Sequence, residues 1–135
     1  MASIKQLKQE QRLSVQQRQV VADLETLVND LERCEQTITH LKTELEGVNV
    51  KHQGRQTTRD DIAYLQDLLR CANKKLAWEK QMMSLQKRTP EVMERMSKIV
   101  NDPMTPADNE TRGAMLDALQ RVQTAMERLQ GAQVK

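Results

Sequence analysis

The sequence predicts an all-α protein: a long antiparallel coiled-coil hairpin with one or two shorter C-terminal helices, together an elongated helical bundle. Three observations carry that expectation. Apolar residues recur at alternating spacings of four and three over residues 20 to 48, a period of 3.5 that suits a helix and not a strand. Charged residues make up 30% of the 135 positions, against four Gly and three Pro, the composition of long solvent-bathed helices. Only 38% of the chain is hydrophobic, Phe is absent, and Tyr64 and Trp78 are the only aromatics, so a large globular core is not expected.

The first helix is expected from residue 2 to residue 46, a stretch without Pro or Gly. Its stripe runs Val20, Leu24, Leu27, Leu31, Cys34, Ile38, Leu41, Leu45 and Val48, and one heptad further back falls on Leu13. At about 1.5 Å per residue such a rod is roughly 65 Å long. The stretch EGVNVKHQGRQTT then offers helix-ending and turn positions in Gly47, Asn49 and Gly54, placing a turn near residues 49–57. Thr58 followed by Asp61 reads as the start of a second helix, whose stripe is Ile62, Leu65, Leu69, Ala72, Leu76 and Met83, with Glu79 as a polar intrusion. Leu68, Met82 and Leu85 widen it, enough for two neighbours. That helix is expected to end near Arg88, because Thr89 and Pro90 form a good start for a short third helix ending at Asp102 and Pro103. Thr105, Pro106 and Asp108 repeat the start signal for a last helix carrying Met115, Leu119, Val122, Met126 and Leu129.

Charge orients the hairpin. Residues 21–50 hold seven acids and two bases, a balance of minus five, whereas residues 51–88 hold nine bases and four acids, a balance of plus five. An antiparallel fold lays the acidic half along the basic one, and complementary flanks choose orientation in coiled coils. Three regions result: a basic, Gln-rich N-terminal helical arm over 1–20, a hairpin over 21–88, and short helices over 89–135 that pack on the hairpin or on a partner.

Candidate chemistry is sparse. His40 and His52 are the only histidines, and no CxxC, HExxH or glycine-rich phosphate loop is present, so no catalytic, metal or cofactor site is expected. Cys34 and Cys71 read as packed thiols that the hairpin brings to nearly the same level. A net charge of plus two and an acidic helix facing the basic one weigh against nucleic-acid binding. No run of apolar residues reads as a membrane span or signal segment, and an intracellular, cytoplasmic setting is expected.

The expected role is therefore a non-enzymatic coiled-coil subunit or adaptor in a homo- or hetero-oligomeric assembly, of cytoskeletal, tethering or scaffold type. A helical chaperone-like, substrate-holding module is the alternative, and a nucleic-acid-binding helical module a more distant one. The interaction seam is expected at Leu7, Leu13, Val20, Leu24, Leu27, Leu31, Ile38, Leu41, Leu45, Ile62, Leu65, Leu69, Leu76 and Met83. Trp78, Met93, Met96 and Leu119 are expected to line a second surface. The first helix outruns the second by about twenty residues and leaves its apolar edge for other chains to cover.

Overall fold

The computed structural model describes residues 4–8, 10 and 12–134. They form a short helix and three long ones: α1 (Ile4–Lys8), α2 (Val15–Lys51), α3 (Thr58–Asn101) and α4 (Asn109–Val134). The all-α hairpin expected from the periodicity is present, with α2 and α3 packed antiparallel. Ion pairs fix the direction: Asp23 with Arg95 (3.1 Å), Asp30 with Arg88, and Glu44 with Lys74 (3.0 Å). Such exposed pairs contribute about 0.2–1 kcal/mol each, so they select the pairing while the apolar seam holds it.

The first helix begins later than its unbroken pattern suggests. Ser14 caps α2: its hydroxyl accepts from the Gln17 backbone N–H (3.0 Å), and the Gln17 side chain accepts from the Ser14 N–H (2.9 Å). The residues before it turn back, with Glu10 N–H donating to the Leu7 carbonyl and Leu13 N–H to that of Glu10. α1 therefore lies against α2 and the start of α4, pinned by Lys8 to Glu25 (2.7 Å) and by Arg12 to Glu10 and Asp108. At its other end α2 runs through Gly47 to Lys51, where the His52 N–H closes on the Val48 carbonyl. The hairpin turn is thus 52–57, shorter than the expected 49–57.

Thr57, one residue before the expected position, caps α3 by accepting from the Asp60 N–H (3.1 Å). The larger departure is at Pro90. The expected second and third helices are one helix of 44 residues with Pro90 inside it, so the boundary expected at residue 89 falls mid-helix. An interior proline costs about 3 kcal/mol. Burial on both sides offsets that cost: Leu85, Thr89, Val92, Met96 and Val100 all face the core, and the Thr89 hydroxyl donates to the Leu85 carbonyl (2.7 Å). Pro90 itself sits on the solvent side.

The chain then reverses at 102–108. Arg112 clamps this turn by donating to the carbonyls of Val100, Asp102 (3.1 Å) and Thr105 (2.7 Å), while Thr105 Oγ1 donates to the Ile99 carbonyl (2.7 Å). Asp108 accepts from the Thr111 N–H (2.7 Å) at the start of α4, which holds its carboxyl below the usual range. Charge-assisted hydrogen bonds of this kind contribute about 1.5–3 kcal/mol. Arg112→Met should lower unfolding free energy by about that much and raise amide exchange across 100–112.

α4 returns along α2 and lays Ala114, Met115, Ala118, Val122, Ala125 and Leu129 into the groove between α2 and α3. The small Ala118 and Ala125 side chains let it sit close. Acids of α2 serve this neighbour too, Glu32 pairing with Arg121 and Glu35 with Arg128. α4 ends near Ile38 and Leu41, so the remainder of the α2–α3 hairpin continues beyond it as a two-helix tip.

Candidate interaction surface

Two apolar stripes compete on α3. One is the expected seam; the other runs Cys71, Trp78, Met82, Leu85, Thr89, Val92, Met96 and Val100, one full heptad from Cys71 to Trp78 and then steps of three and four. The second stripe packs inward. It extends through Pro90 for four heptads, whereas the first stops at Met83, and the longer stripe buries more apolar area against α2 and α4. A reading that ends the helix at Arg88 sees only half of it.

The consequence is a correction to the expected seam. On α2 and before it, Leu7, Leu13, Val20, Leu24, Leu27, Leu31, Ile38 and Leu41 are buried, and Leu45 is partly exposed near the tip. Leu7 and Leu13 are 1% and 2% exposed, so the N-terminal segment does not project as a free arm, and its own chain covers the α2 edge as far as Leu41. On α3 the expected seam points to solvent: Ile62 is 52% exposed, Leu65 and Leu69 62%, Leu76 52% and Met83 55%. A coiled-coil pattern over three heptads therefore lies open on the outer face of the hairpin.

The expected second surface is covered as well. Trp78 and Met96 are buried, and Met93 and Leu119 are half-buried against the core. Trp78 packs on α2, its indole N–H donating to the Cys34 carbonyl (2.8 Å). Trp78, two turns further along α3 than Cys71, is thus the residue level with Cys34. Cys71 lies beside Ile38 and Leu41, and both thiols are free and buried. Burial pushes the Cys34 thiol above its ordinary range, which suppresses the reactive thiolate.

The open stripe merges with a groove of about 310 Å³ where α4 stops. Ile38, Leu41 and Leu45 form one wall, Leu68, Cys71 and Ala72 the other, and Ala132 closes the end. Lys42 and Lys75 stand on its rims. Arg59, Lys80 and Lys87 flank the stripe itself, and these five cations make no ion pair among the described residues.

At the tip, a polar cluster that the sequence pattern does not announce joins the two helices. His52 Nε2 lies 2.7 Å from Asp67 Oδ2, and Arg70 (2.8 Å) and Lys51 (3.5 Å) complete the carboxylate's partners. Arg55 stacks on Tyr64 at 3.9 Å, and the Tyr64 hydroxyl donates to Asn49 Oδ1 (2.8 Å). The His52 hydrogen bond, followed by the cations, holds the Asp67 carboxyl below its ordinary value of 3.8. A depressed carboxylate pKa contributes stability above the unfolded value and loses it as pH falls through the folded one. The tip should therefore loosen below about pH 3.8. Hydrogen exchange over 49–70 should show that acid sensitivity in the native chain, and Asp67→Asn should abolish it while raising exchange at neutral pH.

His40 is on the solvent side of α2. Among the described residues no group of His, Cys, Asp or Glu could hold a metal ion, and no helix is long and apolar enough to cross a membrane. In comparisons with protein-family models, curated proteins and solved structures, nothing matches the chain.

Proposed function

We propose that this chain is a non-enzymatic coiled-coil interaction subunit or adaptor, a rigid helical hairpin that presents one face to other proteins in a larger assembly. The open heptad stripe of α3 carries this reading. Single exposed leucines are ordinary on protein surfaces, but Ile62, Leu65, Leu69 and Leu76, with Ala72 between the last two, form a heptad-spaced row that water solvates poorly, and Met83 extends it beyond Glu79. The row lies on an unbroken helix braced by α2, so a partner helix can dock without this chain having to order a loop. That placement differs from the one periodicity alone suggests: the docking face belongs to α3, and the edge of α2 serves the chain's own core.

A substrate-holding module would grip its clients with the hairpin tip and a methionine-rich surface. Of those methionines Met82 and Met96 are fully buried and Met93 half-buried, leaving Met83 exposed, which favours the adaptor reading. Affinity capture of the tagged full chain from its native cell, with crosslinking, tests the proposal. Discrete neighbours crosslinked to lysines 74, 75, 80 or 87 are the expected result, and capture without any crosslinked neighbour would count against it.

A further inference from the structure

We infer that the outer face of α3 takes one amphipathic helix of a different protein, with an apolar heptad seam flanked by acidic residues. This rests on the interaction reading above and names the partner's chemistry. The seam positions a and d are Ile62, Leu65, Leu69, Ala72, Leu76, Glu79 and Met83, of which the five large apolar ones are more than half exposed. The flanking e and g positions are where a partner's charges are read in a coiled coil. Here they hold Arg59 and Lys80 on one side, Lys75 on the other, with Asp61 as the one acid, and Asp61 is engaged by Arg55 (3.3 Å).

Elsewhere on the molecule the cations are mostly taken up. Lys8, Arg88, Arg95, Arg121 and Arg128 each pair with an acid of α2. Along the stripe Arg59, Lys75, Lys80 and Lys87 have no such counter-charge among the described residues, and Lys42 repeats the pattern across the groove. An apolar row between unpaired cations complements a helix with leucine or isoleucine at a and d and glutamate or aspartate at e and g.

A second copy of this chain does not fit. Parallel pairing of two stripes would set Lys75 of one copy beside Lys80 of the other and face Glu79 with Glu79. Antiparallel pairing that keeps the leucine layers would bring Arg59 against Lys80, or, one heptad along, Lys75 against Lys75. Each of these registers juxtaposes like charges, which coiled coils use to reject a partner; the antiparallel overlap that avoids this, Asp61 against Lys75, sets Leu76 against Thr58, leaves Met83 uncovered and takes Asp61 from Arg55. Nucleic acid fits the cations but leaves the leucines between them wet.

The test uses the full chain and two synthetic four-heptad peptides, with leucine and isoleucine at a and d and either glutamate or lysine at e and g. Fluorescence anisotropy should show micromolar binding of the glutamate peptide and none of the lysine peptide. Leu69→Gln with Leu76→Gln, at exposed positions that leave circular dichroism unchanged, should weaken binding about tenfold or more. Lys75→Glu with Lys80→Glu should invert the peptide preference. Equal binding by native chain and leucine variant would overturn the inference, as would displacement of the peptide by a DNA oligonucleotide. A dimer in light scattering that the leucine variant abolishes would assign the face to a second copy and overturn it too. Capture from cells separates the two levels: identical crosslinked neighbours for native and leucine-variant chains would sink this surface and leave the interaction reading standing.

Discussion

Trp78→Ala is expected to lower the free energy of unfolding by about 3–5 kcal/mol, a large share of what a domain of this size has. Trp78 is 2% exposed, is the largest side chain between α2 and α3, and lies beside Thr37 and Leu41, near where α4 ends. Removing it opens a cavity that the packed helices around it relax into only partly. Trp78→Phe keeps most of the volume but gives up the hydrogen bond to the Cys34 carbonyl, and should cost less. Urea titration followed by circular dichroism measures both. A shift within about 0.5 kcal/mol for the alanine variant would mean that the indole is a surface anchor and not a core residue.

Leu13→Ala is expected to cost about 2–5 kcal/mol, although periodicity alone places Leu13 on a projecting arm. The side chain is 2% exposed beneath the turn that joins α1 to α2, and Leu7 beside it is 1% exposed. Lys8, Glu10 and Arg12 close over this region through their ion pairs to Glu25 and Asp108. The N-terminal segment is thereby the cap on the end of the bundle where α4 begins. If it were an arm waiting for a partner, the alanine variant would unfold at the same urea concentration as the native chain.

The fold class and the pairing of α2 with α3 were legible because both rest on long-range regularities, the 3.5-residue period and the opposed charge of the two halves. The break before α2 was also written in the chain, since Ser14 and Gln17 have the spacing of a capping box. An uninterrupted lack of Pro and Gly masked it. Pro90 misled in the opposite direction: Thr89–Pro90 has the form of a helix start, and only tertiary burial of Val92, Met96 and Val100 carries the helix through. That local choice propagated. In a helix that stops at Arg88 the stripe from Ile62 to Met83 is the strongest apolar face, whereas the full α3 turns the longer stripe through Trp78, Met96 and Val100 inward and leaves the first one exposed. The His52–Asp67 latch left no signal, because residues fifteen apart meet only after the tip has closed.

The most direct measurement is the stability of the Leu69→Gln, Leu76→Gln chain. With both side chains more than half exposed, its free energy of unfolding in urea should match that of the native chain to within about 0.5 kcal/mol per site. A loss of several kcal/mol would place these leucines between the helices, close the face assigned here to a partner, and contradict the account.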